Sequence, residues 1–304
     1  MIKRSSRLLL NYLYGSYRKQ EKGFTLLELL SAMVISGIVL SSTLTFIVNL
    51  LQFEQRNFAE DDLQQRMQTT LNSLSKELRE AVYVYDGRCL QSGGQPGSCP
   101  NLANYIPTPA NSVPTLAFWK VQSLPQSIQA QCISANPPLG VNCISLRSYS
   151  LIVYYLQKNQ PTDTPQWHGP ARITRYQLTQ FDSNSNTIAG YVDPTAQGTS
   201  FQTWPIGTGQ VLPSHLSGTP DTVVDSVDLT TAQTLNCSTL YAASPVKGFT
   251  SFYACVRTSA RLGTIQDVRL FLTGNASEKP GTNNNFRPTL LTDVTVGGIF
   301  NRVP

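Results

Sequence analysis

The sequence has only two histidines, His168 and His215, far apart in the chain. Neither stands near a nucleophile elbow, a P-loop, an HExxH pair or an EF-hand loop, so the common catalytic frames have no residues to build on. No C-x-x-C spacing occurs, which removes the usual zinc ligand pair. No internal repeat is visible, which excludes a solenoid. Proline is missing between Gly23 and Pro96, and basic residues are missing between Phe24 and Phe53. Nothing in these patterns points to an enzyme, a cofactor or a resident metal.

The missing prolines and charges leave one long apolar run, Phe24 to Phe53, broken only by the carboxylate of Glu28. As a helix it would measure about 45 Å, and about 20 residues suffice to cross a bilayer core. A signal peptide is the competing reading, but its apolar core is about 7–15 residues long and ends at a small-residue cleavage site. A carboxylate at the bilayer centre costs about 2.5–3.5 kcal/mol on insertion scales. Glu28 therefore needs a partner or a place near the interface, and no nearby side chain supplies a positive charge. A cut between Gly23 and Phe24 would create one, a new amino terminus four residues before Glu28.

Net charge is +5, and it resides in the first 23 residues, where six basic residues face only Glu21. The remaining chain carries 17 basic and 17 acidic residues. With the leader removed, a basic surface for nucleic acid has no footing. The leader beside the apolar run sets the N-terminus in the cytoplasm and the later residues outside. Cys89, Cys99, Cys132, Cys143, Cys237 and Cys255 all lie in that exported part, where disulfides are permitted. Six cysteines allow about 15 connectivities. Loop composition favours local pairs: Cys89 with Cys99, Cys132 with Cys143, and Cys237 with Cys255.

Lys22, Gly23, Phe24, Thr25, Leu26 and Glu28 stand in the order of a known signature: a basic leader ending in Gly, then Phe-Thr-Leu-X-Glu, then an apolar helix. The chain here resembles the type IV pilin and pseudopilin superfamily. The resemblance implies cleavage after Gly23 by a prepilin peptidase, with Lys22, Gly23 and Phe24 at the processing site and N-methylation of Phe24. It implies that Thr25, Leu26 and Glu28 serve assembly, with Glu28 pairing to the charged amine of a neighbouring subunit. The partners it implies are other pilins or pseudopilins, the peptidase, an inner-membrane assembly platform, and membrane lipid before assembly.

Beyond Glu54, apolar residues Leu63, Met67, Leu71, Leu74, Leu78 and Val82 recur every three or four positions, one stripe at helical period. Asp86-Gly87 offers a stop. Strands are expected at Thr115–Gln122, Leu146–Gln157, Ala171–Gln180, Thr222–Thr230, Ser251–Val256, Gln266–Thr273 and Leu290–Val296. Long loops rich in Pro, Gly, Ser and Asn separate them. The expected fold is α+β: a long N-terminal helix packed on an antiparallel β-sheet head with disulfide-anchored loops. Its segments are a leader 1–23, an apolar helix 24–53, an amphipathic helix 54–86 and a head 87–304.

The amphipathic helix, the "LIVYYLQ" and "RITRYQL" strands, "VVDSVDL" and "QDVRLFLTG" resemble minor pilins and pseudopilins of the PilW/GspJ type. The "ELREAVYVYDG" stretch is similar to pseudopilins of the hormogonium polysaccharide secretion system. The function this implies is a processed subunit in or near the tip of a type IV pilus-like filament, held in the inner membrane before assembly. A filament-borne adhesin or cargo-binding module is the alternative. Asp221, Asp225 and Asp228 read as a solvated strand face rather than a calcium site. Trp119, Trp167 and Trp204 read as core and loop anchors rather than a sugar-binding surface.

Overall fold

A computed structural model of the chain describes residues 23–90, 99–134, 137–138, 140–163, 166–206, 216, 218–232, 235, 237–246, 248–257, 266–276 and 286–297. Lys22, the rest of the leader and His215 lie outside these. The chain divides into two units, Met1–Glu54 and Gln55–Pro304. Helix α1, Leu26–Arg79, contributes to both.

In the first unit every described residue of α1 is exposed. The helix is long and apolar enough to cross a membrane, and its apolar window is 0% buried inside the protein. Its hydroxyls are spent locally. Ser31 donates to Glu28 O (3.0 Å), Ser36 to Met33 O (3.0 Å), Ser42 to Val39 O (2.9 Å) and Thr45 to Ser41 O (2.9 Å). A hydroxyl that bonds the preceding turn leaves no unpaired donor for an apolar solvent to penalise.

In the second unit the apolar stripe of α1 is buried as its period predicts. Leu63, Met67, Leu71, Leu74 and Leu78 are all at most 2% exposed. At about 1.5–3 kcal/mol per buried large apolar side chain, this face is the main force holding the helix to the sheets. The helix ends earlier than the sequence suggests. It stops at Arg79, and Ala81–Tyr85 forms strand β1. The segment AVYVY is rich in β-branched and aromatic residues, and it finds a partner in Ala117–Lys120 of the next strand. Val82, the last expected member of the stripe, therefore packs into a different cluster from Leu78. Gly87 is not the cap of α1. It opens a short helix α2, Gly87–Leu90, where a Cβ would lie 2.3 Å from Ala243 O.

Strands β2 (Ser112–Ser123), β3 (Arg147–Lys158), β4 (Ala171–Leu178) and β5 (Asp221–Val227) continue from β1 as an antiparallel five-stranded meander. Short helix α3, Gln126–Cys132, lies in the β2–β3 connection. Then come β6 (Thr231–Ala232), β7 (Tyr241–Ser244), β8 (Gly248–Phe249), β9 (Phe252–Arg257), β10 (Gln266–Thr273) and β11 (Thr289–Val296). A four-stranded sheet has the order β11-β10-β9-β7, and β6 pairs with β8. All seven expected strands are present within a few residues; β1, β7 and the two-residue strands β6 and β8 were not expected.

Two cores divide the head. One gathers the stripe of α1 and apolar residues of both large sheets. The other lies on the opposite face of the five-stranded sheet, under the loops. Strand β3 feeds both: Ile152, Tyr154 and Leu156 enter the first, and Leu151, Val153 and Tyr155 the second. The alternation seen in its sequence separates two buried faces, not core from solvent. The long loops are the cover of that second face. Trp204, 0% exposed, donates its indole N–H to Val192 O (2.8 Å). Trp119 donates to Tyr85 Oη (2.9 Å), and Tyr85 to Phe201 O (2.5 Å). Trp119 and Trp204 are thus core and loop anchors.

The edge of β1 is closed by a side chain. Gln266 accepts from Val84 N–H (2.9 Å) and donates to Val84 O (3.2 Å), standing where a neighbouring strand would stand. Three disulfides, Cys89–Cys99, Cys132–Cys143 and Cys237–Cys255, join residues 10, 11 and 18 apart. Each contributes about 3 kcal/mol in the loop-entropy account. The first ties α2 to Cys99, the second ties the end of α3 to Cys143, and the third ties Cys237 to β9.

Candidate functional site

The sequence motif straddles the start of α1. Gly23, Phe24 and Thr25 precede the helix, and Leu26 begins it. Around Gly23 no described heavy atom beyond its chain neighbours lies within 4 Å of where a Cβ would be. Phe24 is 78% exposed. No described basic side chain lies within ion-pair distance of Glu28.

Thr25 has a local role that the motif alone did not reveal. It is the N-cap of α1: its hydroxyl accepts from Glu28 N–H (3.3 Å), and its carbonyl accepts from Glu28 N–H (3.0 Å) and Leu29 N–H (3.2 Å). Thr25-x-x-Glu28 has the spacing of a capping box. The signal was present in the sequence, a Thr followed three residues later by Glu before an apolar run. Glu28 sits in the first turn, where a carboxylate is stabilised by the helix dipole by about 0.3–1 kcal/mol. The acid therefore has a folding role as well as its expected assembly role.

A second carboxylate was missed entirely. Glu77, on the polar border of the buried stripe, receives a two-pronged contact from Arg175 of β4: Nε to Oε2 (3.1 Å) and Nη2 to Oε1 (2.8 Å). Tyr154 of β3 donates to Oε2 (2.7 Å), and Lys120 of β2 to Oε1 (3.1 Å). Three strands thus clasp one helix side chain. Burial pushes the Glu77 carboxyl up, but the hydrogen bonds of Arg175 and Tyr154, with the charges of Arg175 and Lys120, outweigh it and hold the group below its ordinary value. Burial, and then the charge of Glu77, push the Tyr154 phenol up.

The remaining sequence candidates do not assemble into a centre. His168 is exposed, and its main-chain N–H donates to Asp225 Oδ2 (3.1 Å). Asp221 is exposed, as a solvated strand face requires, but Asp228 is 3% exposed and corrects that reading. It accepts from Asn275 Nδ2 (2.6 Å) and Thr230 Oγ1, with Arg287 Nε at 3.6 Å. A carboxylate this buried is held by its donors, and here they join the end of β5 to a residue just after β10 and one just before β11. No group of three metal-ligating side chains occurs among the described residues.

A family model described as the prokaryotic N-terminal methylation motif matches residues 18–44. This stretch carries the N-terminal methylation motif of type IV pilins and pseudopilins, so the chain is prepilin-like at its N-terminus. The motif implies processing by a prepilin peptidase and assembly with other pilins. No curated protein and no solved structure matches the chain.

Proposed function

We propose that this chain is a minor pilin or pseudopilin of the PilW/GspJ type that takes its place in or near the tip of a type IV pilus-like filament. The peptidase cuts after Gly23, and Phe24 becomes the methylated terminus. Before assembly α1 crosses the inner membrane with the leader in the cytoplasm and the head exported. During assembly the platform lifts the chain out of lipid, and α1 trades lipid for neighbouring helices.

One observation carries this reading. The matched motif runs into a helix segment, Leu26 to Glu54, that buries none of its apolar side chains inside the protein. So much exposed apolar surface requires lipid or other helices as its surroundings. Glu28 is then the register: the ammonium of a neighbour's Phe24 would pair with it, and a subunit displaced along the axis would leave two charges unpaired in a low dielectric. A head with three local disulfides and a loop-covered second sheet face suits an occasional subunit better than one repeated along the filament.

The test separates pairing from capping. Glu28→Gln keeps a residue compatible with the capping box but removes the charge, whereas Glu28→Ala removes both. With membrane levels matched to wild type, both variants are followed into sheared filaments. The pairing mechanism expects both to be depleted. If Glu28→Gln is incorporated like wild type, the acid serves only the helix start and the register is wrong.

A further inference from the structure

Trp167 stands at the open edge of the five-stranded sheet, part-exposed, where two clefts meet. The cleft on the loop side, about 510 Å³, is lined by Pro109, Gln157, Trp167, Arg172, Thr174 and Thr219, among others. The cleft on the helix side, about 480 Å³, shares Trp167 and Thr222 with it and continues to Thr70 and Asp225. Each volume lies within the range of about 300–1,000 Å³ typical of small-ligand sites.

Three features describe what would fit the loop-side cleft. The first is an aromatic ring: the Arg172 guanidinium carbon lies over one side of the Trp167 indole, 5.6 Å from its centroid, and the ring stays part-exposed. The second is the lack of spare charge. Arg172 Nη1 is bonded to Asp163 Oδ2 (2.6 Å) and Asn159 Oδ1 (2.6 Å), and Asp163 also accepts from Gln160 N–H (3.0 Å). The third is unspent hydrogen-bonding capacity. Arg172 is 7% exposed and Thr174 is 1% exposed, yet Arg172 Nε and Thr174 Oγ1 find no hydrogen-bond partner among the described residues. Buried polar groups are normally satisfied, and unpartnered ones call for an explanation in a ligand or an ordered water.

We propose that the cleft beside Trp167 binds a neutral oligosaccharide, with a sugar ring against the indole and hydroxyls toward Arg172, Thr174 and Gln157. Sugars offer an apolar C–H face and a rim of hydroxyls that both donate and accept. That chemistry matches an aromatic platform in a wall of threonine, glutamine and a neutralised arginine. An anionic ligand is disfavoured, because Asp163 already occupies the guanidinium charge. A proline-rich peptide is disfavoured, because such peptides dock in grooves lined by several aromatic residues, and Trp167 is the single aromatic residue lining either cleft among the described residues. The loop-side cleft takes none of its lining from α1, and the proposal does not depend on whether the chain enters filaments.

The experiment uses the full chain in a zwitterionic, sugar-free detergent, read by saturation-transfer NMR and tryptophan fluorescence. The probes are cellohexaose, xylohexaose, mannohexaose and maltohexaose, with a proline-rich decapeptide alongside. At least one hexasaccharide should bind, and Trp167→Ala should weaken it about ten-fold or more. Thr174→Val conserves volume and removes the unpartnered hydroxyl. It should weaken binding about three-fold or more while leaving Tm unchanged or raised. Absence of binding by every hexasaccharide at about 10 mM overturns the proposal, as does binding that Trp167→Ala leaves intact. Binding of the decapeptide alone makes the cleft a peptide groove. A Thr174→Val variant with lowered Tm and undiminished binding assigns the hydroxyl to a structural water.

Discussion

Glu77 joins α1 to three strands, and its removal has a cost that can be worked from the geometry. The carboxylate takes four hydrogen bonds, two from Arg175, one from Tyr154 and one from Lys120. Side-chain exposure is 20% for Glu77, 22% for Arg175 and 16% for Lys120. Breaking a fully buried pair costs about 3–5 kcal/mol, because a charge is left behind. An exposed pair is worth about 0–1 kcal/mol. A cluster about one-fifth exposed falls between, so Glu77→Ala should destabilise the head by about 2–3 kcal/mol.

Two cations remain beside each other in that variant, so part of the loss is theirs. Arg175→Met in the Glu77→Ala background should therefore cost about 1–2 kcal/mol less than in wild type. Chemical denaturation of the full chain in detergent, followed by the near-ultraviolet signal of the buried tryptophans, measures both. A loss below about 0.5 kcal/mol for Glu77→Ala, or strict additivity with Arg175→Met, would refute the clasp. The pH dependence has a definite sign. The folded carboxyl lies below its ordinary value of 4.5, so its contribution is complete above that pH and is lost as pH falls through the folded value. Wild type should lose more stability on acidification than Glu77→Ala does.

Mature protein should begin at Phe24 and be about 14 Da heavier if singly methylated; an intact leader in purified filaments removes the processing step. Non-reducing peptide mapping should return the pairs Cys89–Cys99, Cys132–Cys143 and Cys237–Cys255 with no free thiol, and any other connectivity contradicts the fold of the loops. Gly87→Ala would drive a Cβ to 2.3 Å from Ala243 O and 2.8 Å from Val246 N, both backbone atoms. It should cost about 1–3 kcal/mol or more, seen as a lowered denaturation midpoint, and a neutral effect would show that α2 and β7 do not meet there.

What was legible from the residues alone was what repeats or acts locally. The apolar run and its first acid announce a membrane-compatible helix start, because hydropathy needs no partner to be read. The stripe from Leu63 to Leu78 is readable for a similar reason: helical period puts those residues on one face whatever they meet. Cysteine pairs close in the chain were favoured by the loops between them. Strand positions were legible from β-branched and aromatic runs, within a few residues at their ends.

Tertiary structure decided the rest. Whether AVYVY ends a helix or begins a sheet depended on a neighbour some 35 residues later, since local propensity leaves Ala81–Tyr85 usable either way. The partners of Glu77 come from positions 120, 154 and 175, which no spacing rule connects. Alternation along β3 could not tell a solvent face from a second core, because the covering layer comes from loops more distant in sequence. Asp228 reads as a surface acid until Asn275 and Arg287 arrive from beyond the next strands. The N-terminal motif is a property of contiguous residues and can be read in order. The clasp, the second core and the cleft at Trp167 exist only when distant strands meet, because each is made of side chains that satisfy one another across the fold.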